Sequence, residues 1–275
     1  MDRTKIDWCD STWNPVTGCL HGCEYCYARG IAKRFGGWND SDGDIHHDEI
    51  LKNESDVREL YEPLKVFRDG QTIFSGKWQK APYPYDFIPT FHRYRLNDYI
   101  SKKGRNIFVC SMADLFGSWV PDSWIEEVFK ACEKAPQHNY LFLTKYPRRY
   151  IELERERRLP WADNFWFGCS VTKLTDTYTW FEKKKFHWFL SVEPILENLG
   201  AMNVDAAKPE WVIVGAETGN RKGRVVPDRS WIENLVRECR KYGIPIFMKS
   251  SLEDIWKEPL IQEFPAQLQK GGNEA

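Results

Sequence analysis

A regular alternation of apolar and helical segments begins at Asn106 and continues almost to the end of the 275-residue chain. The apolar segments are short and continuous, as buried strands are, and the segments between them have helical character. This alternation is typical of a parallel sheet covered by helices, and the number of units favours an α/β fold, a complete or partial parallel β/α (TIM-like) barrel. The predicted strands are Ile107–Cys110, Tyr140–Leu143, Phe165–Cys169, His187–Leu190, Trp211–Val214 and Ile244–Met248, and the predicted helices are Pro121–Ala135, Pro147–Arg158, Thr175–Lys184 and Asp228–Tyr242.

The chain before Asn106 follows a different pattern. A first strand-helix unit is predicted, but residues from about 36 to 104 keep no clean period. We therefore predict one domain over residues 1–275 with an inserted α+β elaboration at about 36–104. The insert is either a surface elaboration packed on the barrel or a cap over a substrate or partner. The elements predicted here are the strand Trp13–Thr17, the helix Tyr27–Phe35, the strand Gln71–Lys77 and the helix Phe91–Ser101.

Three cysteines lie between the first predicted strand and helix, at the spacing Cys19-x3-Cys23-x2-Cys26. Three thiols on one loop indicate metal chemistry. A closed zinc site needs four protein ligands, whereas a four-iron cluster on three cysteines keeps one iron open for a cofactor or substrate. We favour the cluster. The alternatives are a structural zinc site completed by Cys9 or His21, and inert buried cysteines.

Net charge, apolar runs and cysteine content limit the class of protein to which this chain can belong. The net charge is −1, so no global field attracts nucleic acid, although a local basic groove remains open. There is no apolar run of about 18 residues, so we expect no membrane span. The first residues, Met1–Lys5, are not followed by the apolar core of a signal peptide. We therefore expect a cytoplasmic protein whose eight cysteines are thiols or metal ligands.

Polar and charged side chains follow the predicted strands. In a parallel β/α barrel the carboxyl ends of the strands line one mouth, where active sites are built. A packed core needs none of these groups, and an unpaired buried charge is costly. The alternative is that the charged residues pair as structural salt bridges across the mouth. The residues are Ser111 and Asp114, Thr144 and Lys145, Ser170, Ser191 and Glu193, Glu217, and Lys249 and Ser250.

The cysteine loop resembles the signature of the radical S-adenosylmethionine (SAM) superfamily, with the aromatic Tyr25 directly before its last cysteine. Other segments are similar to an uncharacterised, phage-associated family of that superfamily, and the match covers most of the chain apart from about residues 36–104. Many members of that family have a longer gap between the first two cysteines, and the short gap here is closer to the superfamily norm. The segments are Thr12–Cys19, Ile107–Phe116, Ser191–Pro194 and Trp211–Glu217.

This resemblance implies two cofactors, a 4Fe-4S cluster on Cys19, Cys23 and Cys26, and SAM chelated by the open iron. It implies a barrel of the radical SAM type and reductive cleavage of SAM. The resulting 5′-deoxyadenosyl radical would abstract hydrogen from a substrate. An external electron donor of the flavodoxin or ferredoxin type would be the partner.

The resemblance also implies roles for single residues. Tyr25 would pack near the adenine. Ser111 and Asp114 lie in the segment that in many members of the superfamily binds the methionine amino group. Their segment resembles the variant found in spore photoproduct lyase. We assign Ser170 to the ribose hydroxyls and Lys145 to the methionine carboxylate. The candidate catalytic residues, for the substrate or the ribose, are Lys145, Glu193, Glu217 and Lys249.

The substrate implied is a nucleobase, free or in a nucleic acid. Basic and aromatic residues after two strands are consistent with a phosphate-binding, base-stacking surface. We favour the simpler interpretation, a solvated helix face on which glutamates alternate with the arginines. The sequence also allows a radical enzyme for small molecules or peptides, an electron-transfer centre, or a zinc-stabilised binding module without catalysis. The residues concerned are Arg148, Arg149, Arg155, Arg157, Arg158, Lys183, Lys184, Lys185, Trp161, Trp166 and Trp180, and the cysteines considered as hydrogen-atom donors are Cys110 and Cys169.

Overall fold

The computed structural model describes residues 4–36, 57–68, 77–176, 185–199 and 208–269. The strands are β1 Ser11–Trp13, β2 Val16–Thr17, β3 Arg58–Leu60, β4 Lys65–Arg68, β5 Lys77–Lys80, β6 Thr90–His92, β7 Asn106–Val109, β8 Asn139–Thr144, β9 Phe165–Ser170, β10 His187–Val192, β11 Trp211–Val214 and β12 Ile246–Met248. The helices are α1 Tyr27–Phe35, α2 Asp122–Glu133, α3 Arg148–Arg155, α4 Arg229–Lys241 and α5 Glu253–Trp256.

Seven strands form the main sheet, in the order β1-β7-β8-β9-β10-β11-β12. Every neighbouring pair is parallel, and from β7 onward the spatial order follows the chain order. The sheet curls into a partial barrel, which confirms the predicted parallel β/α architecture in its partial form. Within the described ranges its two edges, β1 and β12, do not pair with each other.

Alternate residues of the main sheet belong to two separate cores, as the period of two in a strand requires. One core lies under the helices and joins the sheet to the buried sides of α2, α3 and α4. The other covers the opposite surface of the sheet, which we call the inner face. Its members from the sheet are Phe108, Leu141, Trp166, Phe189, Trp211, Ile213 and Phe247, and Trp8 packs on them.

Inner-face side chains become smaller towards the carboxyl ends of the strands. In β9 the sequence along this face is Trp166, Gly168 and Ser170, and in β10 it is Phe189 and Ser191. A Cβ atom on Gly168 would lie 2.4 Å from the Phe189 ring, so the glycine is needed for this packing. In β9 and β10 the large rings therefore lie in the amino half of the inner face, and the carboxyl half has smaller side chains.

A second sheet, in the order β2-β6-β3, lies beside the first. The single strand predicted over Trp13–Thr17 is wrong, because the chain leaves the main sheet at Asn14-Pro15 and β2 pairs with β6 instead. The helix predicted over Phe91–Ser101 is also wrong. Phe91 is fully buried in β6 between Val16 and Glu59, and only a short 3-10 turn follows.

The other predicted elements after Asn106 are present with ends shifted by a few residues. The strand predicted over Gln71–Lys77 lies outside the described residues except for its last residue, and the helix predicted over Thr175–Lys184 lies outside them except for its first two. In the part of the chain that the structure describes, no helix is long and apolar enough to cross a membrane.

Candidate active site

The charged candidates at the strand ends share the inner face. Counting in steps of two from Leu141 leads to Lys145, and the same count from Phe189 leads to Glu193. Because all main-sheet strands are parallel, these positions lie at one mouth of the partial barrel. The inner-face candidates found by this count are Lys145, Ser170, Glu193, Glu217 and Lys249.

The cysteine loop follows β2 and is fixed at both ends. At its start the Gly18 amide donates to the Met112 carbonyl at 2.9 Å, and the Cys19 amide donates to the Phe87 carbonyl at 3.1 Å. At its end the Cys26 thiol caps α1 by accepting from the Arg29 amide at 3.4 Å. The loop therefore starts at the mouth and leads directly into the first helix.

The three loop thiols are partly buried and close enough to influence one another. Burial raises the pKa of Cys19 to about 12, and the negative charges of Asp114, Cys23 and Cys26 act in the same direction. A bound metal would reverse this effect, since a coordinating thiol gives up its proton.

No three His, Cys, Asp or Glu side chains among the described residues form a group that could hold a single metal ion. The two candidates for a fourth zinc ligand have other contacts. His21 Nε2 is 2.7 Å from Asp114 Oδ2, and Cys9 Sγ is 4.0 Å from the Ile6 carbonyl. A four-iron cluster takes each thiolate on a different iron, so its ligands need not converge on one point. The three thiols, His21 and Cys9 therefore do not form a closed four-ligand zinc site among the described residues.

Lys145 links the second half of the cysteine loop to β9. Its ammonium group donates to Ser170 Oγ at 2.9 Å and lies 5.2 Å from the centroid of the Tyr25 ring. Burial raises the pKa of the Tyr25 hydroxyl, against the charge of Lys145 and a hydrogen bond with Thr172. Within the described ranges no carboxylate lies within ion-pair distance of Lys145, and its charge is one of several groups that lower the pKa of Asp176.

The other charged candidates are paired. Lys249 forms an ion pair with Glu193. Glu217 accepts two hydrogen bonds from Arg221, at 2.6 and 2.9 Å, and these bonds lower the pKa of its carboxyl group. Arg221 also reaches Glu24 in the cysteine loop at 3.3 Å. Glu193, Glu217 and Lys249 are therefore each ion-paired, and the sequence analysis missed Arg221 as the partner of Glu217.

Asp114 is a buried acceptor with several donors. Oδ2 accepts from His21 Nε2, from Thr144 Oγ1 at 3.0 Å and from the Lys145 amide at 2.9 Å. Oδ1 accepts from the Phe116 amide at 3.0 Å. The sequence analysis missed His21 as its partner, because 93 residues separate the two.

Ser111 contacts the first strand and the first helix. Its hydroxyl lies 3.2 Å from Asn14 Oδ1, which also accepts from the Met112 amide at 3.0 Å. Its carbonyl accepts from the Tyr27 hydroxyl at 2.7 Å. The sequence analysis also missed Asn14, although it lies in the Thr12–Cys19 segment that resembles the family.

The Ser191 hydroxyl lies on the inner face, opposite Ser170 in the register of β9 and β10. It is fully buried and has no hydrogen-bond partner among the described residues. Buried hydroxyl groups are rarely left unsatisfied, so this position suits a polar atom of a ligand.

Cys110 and Cys169 are buried in the core under the helices and not on the inner face. Burial raises the pKa of Cys110 to about 12. Both side chains therefore face away from the mouth, which does not favour their use as hydrogen-atom donors.

Three arginines in and just after α3 are ion-paired. Arg149 and Arg158 both pair with Asp122 of α2, and Arg148 pairs with Glu152 at 3.0 Å. This arrangement agrees with a solvated, ion-paired helix face. Of the basic and aromatic residues grouped with them in the sequence, Trp166 is buried on the inner face, and Lys183, Lys184 and Trp180 lie outside the described residues.

Comparison with known proteins identifies a family. The model of a family described as "Protein of unknown function (DUF5131)" matches residues 3–259. No curated protein matches the sequence. Among solved structures, spore photoproduct lyase complexed with dinucleoside spore photoproduct is similar to this chain with a TM-score of 0.45 and 11% identity, over 85% of this chain and 74% of its own.

Proposed function

This chain belongs to the DUF5131 family, and we propose that it is a radical SAM enzyme whose active site is the mouth of the partial barrel. In this proposal Cys19, Cys23 and Cys26 hold a 4Fe-4S cluster. When bound, the cluster and SAM together supply a 5′-deoxyadenosyl radical, made by reductive cleavage of SAM, that abstracts hydrogen from a substrate.

The observation that carries this proposal is the contact between Lys145 and the cysteine loop. Its ammonium group lies against the Tyr25 ring with no carboxylate at ion-pair distance among the described residues, while Lys249 and Arg221 are paired with carboxylates. A free cation beside a three-cysteine loop suits an anionic group bound next to the thiols. We propose that Lys145 binds the methionine carboxylate of SAM.

The rest of the inner face supports a bound cofactor. Ser170 and Ser191 present two neighbouring hydroxyl groups above the aromatic side chains, and the hydroxyl of Ser191 has no partner in the described part of the chain. We propose that they meet polar atoms of the cofactor, and that Glu193 and Lys249 contact the substrate. The large rings below, such as Trp166 and Phe189, exclude water from the amino end of the inner face.

For the substrate we propose a nucleobase, free or in a nucleic acid, on the likeness of the Ser111–Asp114 segment to spore photoproduct lyase. We propose an external electron donor of the flavodoxin or ferredoxin type, a cytoplasmic location and a single domain. The second candidate, a zinc-stabilised binding module, has the three thiols in its favour but no four-ligand zinc site among the described residues.

The test is anaerobic reconstitution of the wild-type protein and two cysteine variants. We expect roughly four iron and four sulfide per wild-type chain, and release of 5′-deoxyadenosine with SAM and dithionite. Cys23→Ala should lose both. Cys239→Ala, which changes a buried cysteine of α4, is the matched control and should keep both. Full cluster content in Cys23→Ala, or one zinc and no iron in the wild type, would overturn the proposal.

A further inference from the structure

Two contacts hold the cysteine loop on opposite sides of its middle cysteine. His21 and Tyr25 lie two residues before and two residues after Cys23. His21 bonds to Asp114, and Tyr25 lies under the ammonium group of Lys145. These two supports are themselves joined, because the Lys145 amide donates to Asp114 Oδ2 at 2.9 Å.

We infer that Asp114 is a positioning residue, which fixes the cysteine loop and Lys145 relative to each other. The functional importance of the distance between the loop and Lys145 rests on the proposed function. The contacts themselves form a closed ring that runs from the loop through His21, Asp114, Lys145 and Tyr25 back to the loop. In such a ring a shift of one member moves the others.

The hydrogen bonding of Asp114 favours this role over direct binding of a ligand. A carboxylate has about four acceptor sites, two on each oxygen; three protein donors share those on Oδ2 and one donor uses a site on Oδ1. The residue is 5% exposed, so little of it is left for an amino group from outside. Since a carboxylate only accepts, His21 must donate from Nε2.

The elements on which the donors lie explain how Asp114 can fix the cysteine loop relative to Lys145. Thr144 ends β8 and Lys145 follows it, so one carboxylate sets the direction in which the chain leaves the sheet. His21 packs edge-on against Trp119, with ring centroids 4.9 Å apart, which limits its movement. Asp114 thus connects the end of β8 to the loop between Cys19 and Cys23.

The test compares Asp114→Asn, His21→Phe and the double variant. His21→Phe keeps a ring against Trp119 but removes the donor. In the full chain before cluster loading, we expect faster amide hydrogen exchange over residues 19–26 and at Lys145 in each single variant. In the loaded protein we expect each to raise KM for SAM about tenfold, because a displaced Lys145 would lose most of one charge-assisted hydrogen bond to the cofactor. The double variant should be no worse than either single variant, because both break the same connection.

The matched control is Asp10→Asn, which alters a carboxylate bonded to the Asn106 amide at the other end of β7. It should leave loop exchange and KM at wild-type values. Unchanged loop exchange in Asp114→Asn, or a raised KM in Asp114→Asn with a wild-type KM in His21→Phe, would overturn the positioning role. If the wild type fails to use SAM, the proposed function falls, while the exchange measurement still decides the connection.

Discussion

Among the charged candidates at the mouth, Lys145 has no carboxylate at ion-pair distance in the described part of the chain, whereas Glu193, Glu217 and Lys249 are paired. Its position was predictable, because the buried strand before it ends at Thr144 and leaves the next inner-face residue at the mouth. Its contact with Tyr25 was not predictable, since 120 residues separate the two and only the pairing of β1, β7 and β8 in the sheet brings them together. The same holds for His21 and Asp114.

Removing the charge of Lys145 should weaken SAM binding without dissolving the cluster. We expect Lys145→Met to raise KM for SAM roughly 10- to 100-fold, the loss of one charge-assisted hydrogen bond. Iron content should stay at the wild-type level, because Lys145 donates to Ser170 and to none of the three thiols. Lys173→Met, at an exposed position after β9, is the control for charge alone. An equal rise of KM in both variants would contradict the role of Lys145.

The parallel strands were the most predictable elements, and segments with partners far away in sequence were the least. Val212 and Leu190 belong to continuous apolar runs that need no knowledge of their neighbours. Phe91 looked helical in its local sequence, but it is a strand residue because Val16 and Glu59 pair with it from either side. Tertiary pairing overrides local preference there.

The cysteine loop depends on the segment before β6 as well as on its own residues. Gly18 has a φ of +85°, and a Cβ atom there would lie 2.3 Å from the Ile88 carbonyl oxygen. Gly22 also has a positive φ, +71°, but a Cβ atom there would have nothing within 4 Å. Gly22 is therefore required only for the left-handed backbone conformation, whereas Gly18 also lets the Ile88 backbone approach the loop closely.

This difference predicts unequal costs for the same substitution. Gly22→Ala should lower the free energy of unfolding by about 1 to 2 kcal/mol, the cost of a left-handed residue with a side chain. Gly18→Ala should cost about 2 kcal/mol more, because the backbone at Ile88 has to move. Urea unfolding measures both. An equal loss of unfolding free energy in the two variants would mean that the close contact between Gly18 and the Ile88 backbone does not stabilise the loop.

At the scale of the whole molecule, folding buries a histidine of the second sheet. His92 ends β6, is fully buried, and lies 2.9 Å from the Thr17 hydroxyl and 3.1 Å from the Tyr94 hydroxyl. Burial, together with the charge of Arg95, lowers its pKa well below the usual 6.5. The folded chain therefore keeps His92 neutral at a pH where the unfolded chain would protonate it.

This difference predicts that folding weakens in mild acid. Below pH 6.5 the unfolded state binds a proton at His92 that the folded state does not bind, so the free energy of unfolding falls as the pH drops. Above pH 6.5 His92 contributes no pH dependence, because it is neutral in both states. Between pH 7.5 and 5.5 the loss should be about 1.4 kcal/mol for this one histidine. His92→Gln should lose correspondingly less over the same range in urea unfolding. Thr17→Val, which removes the partner hydroxyl and keeps the imidazole, should be less stable throughout but retain the wild-type pH dependence. If His92→Gln has the same pH dependence as the wild type, protonation of His92 does not cause the loss of stability in acid.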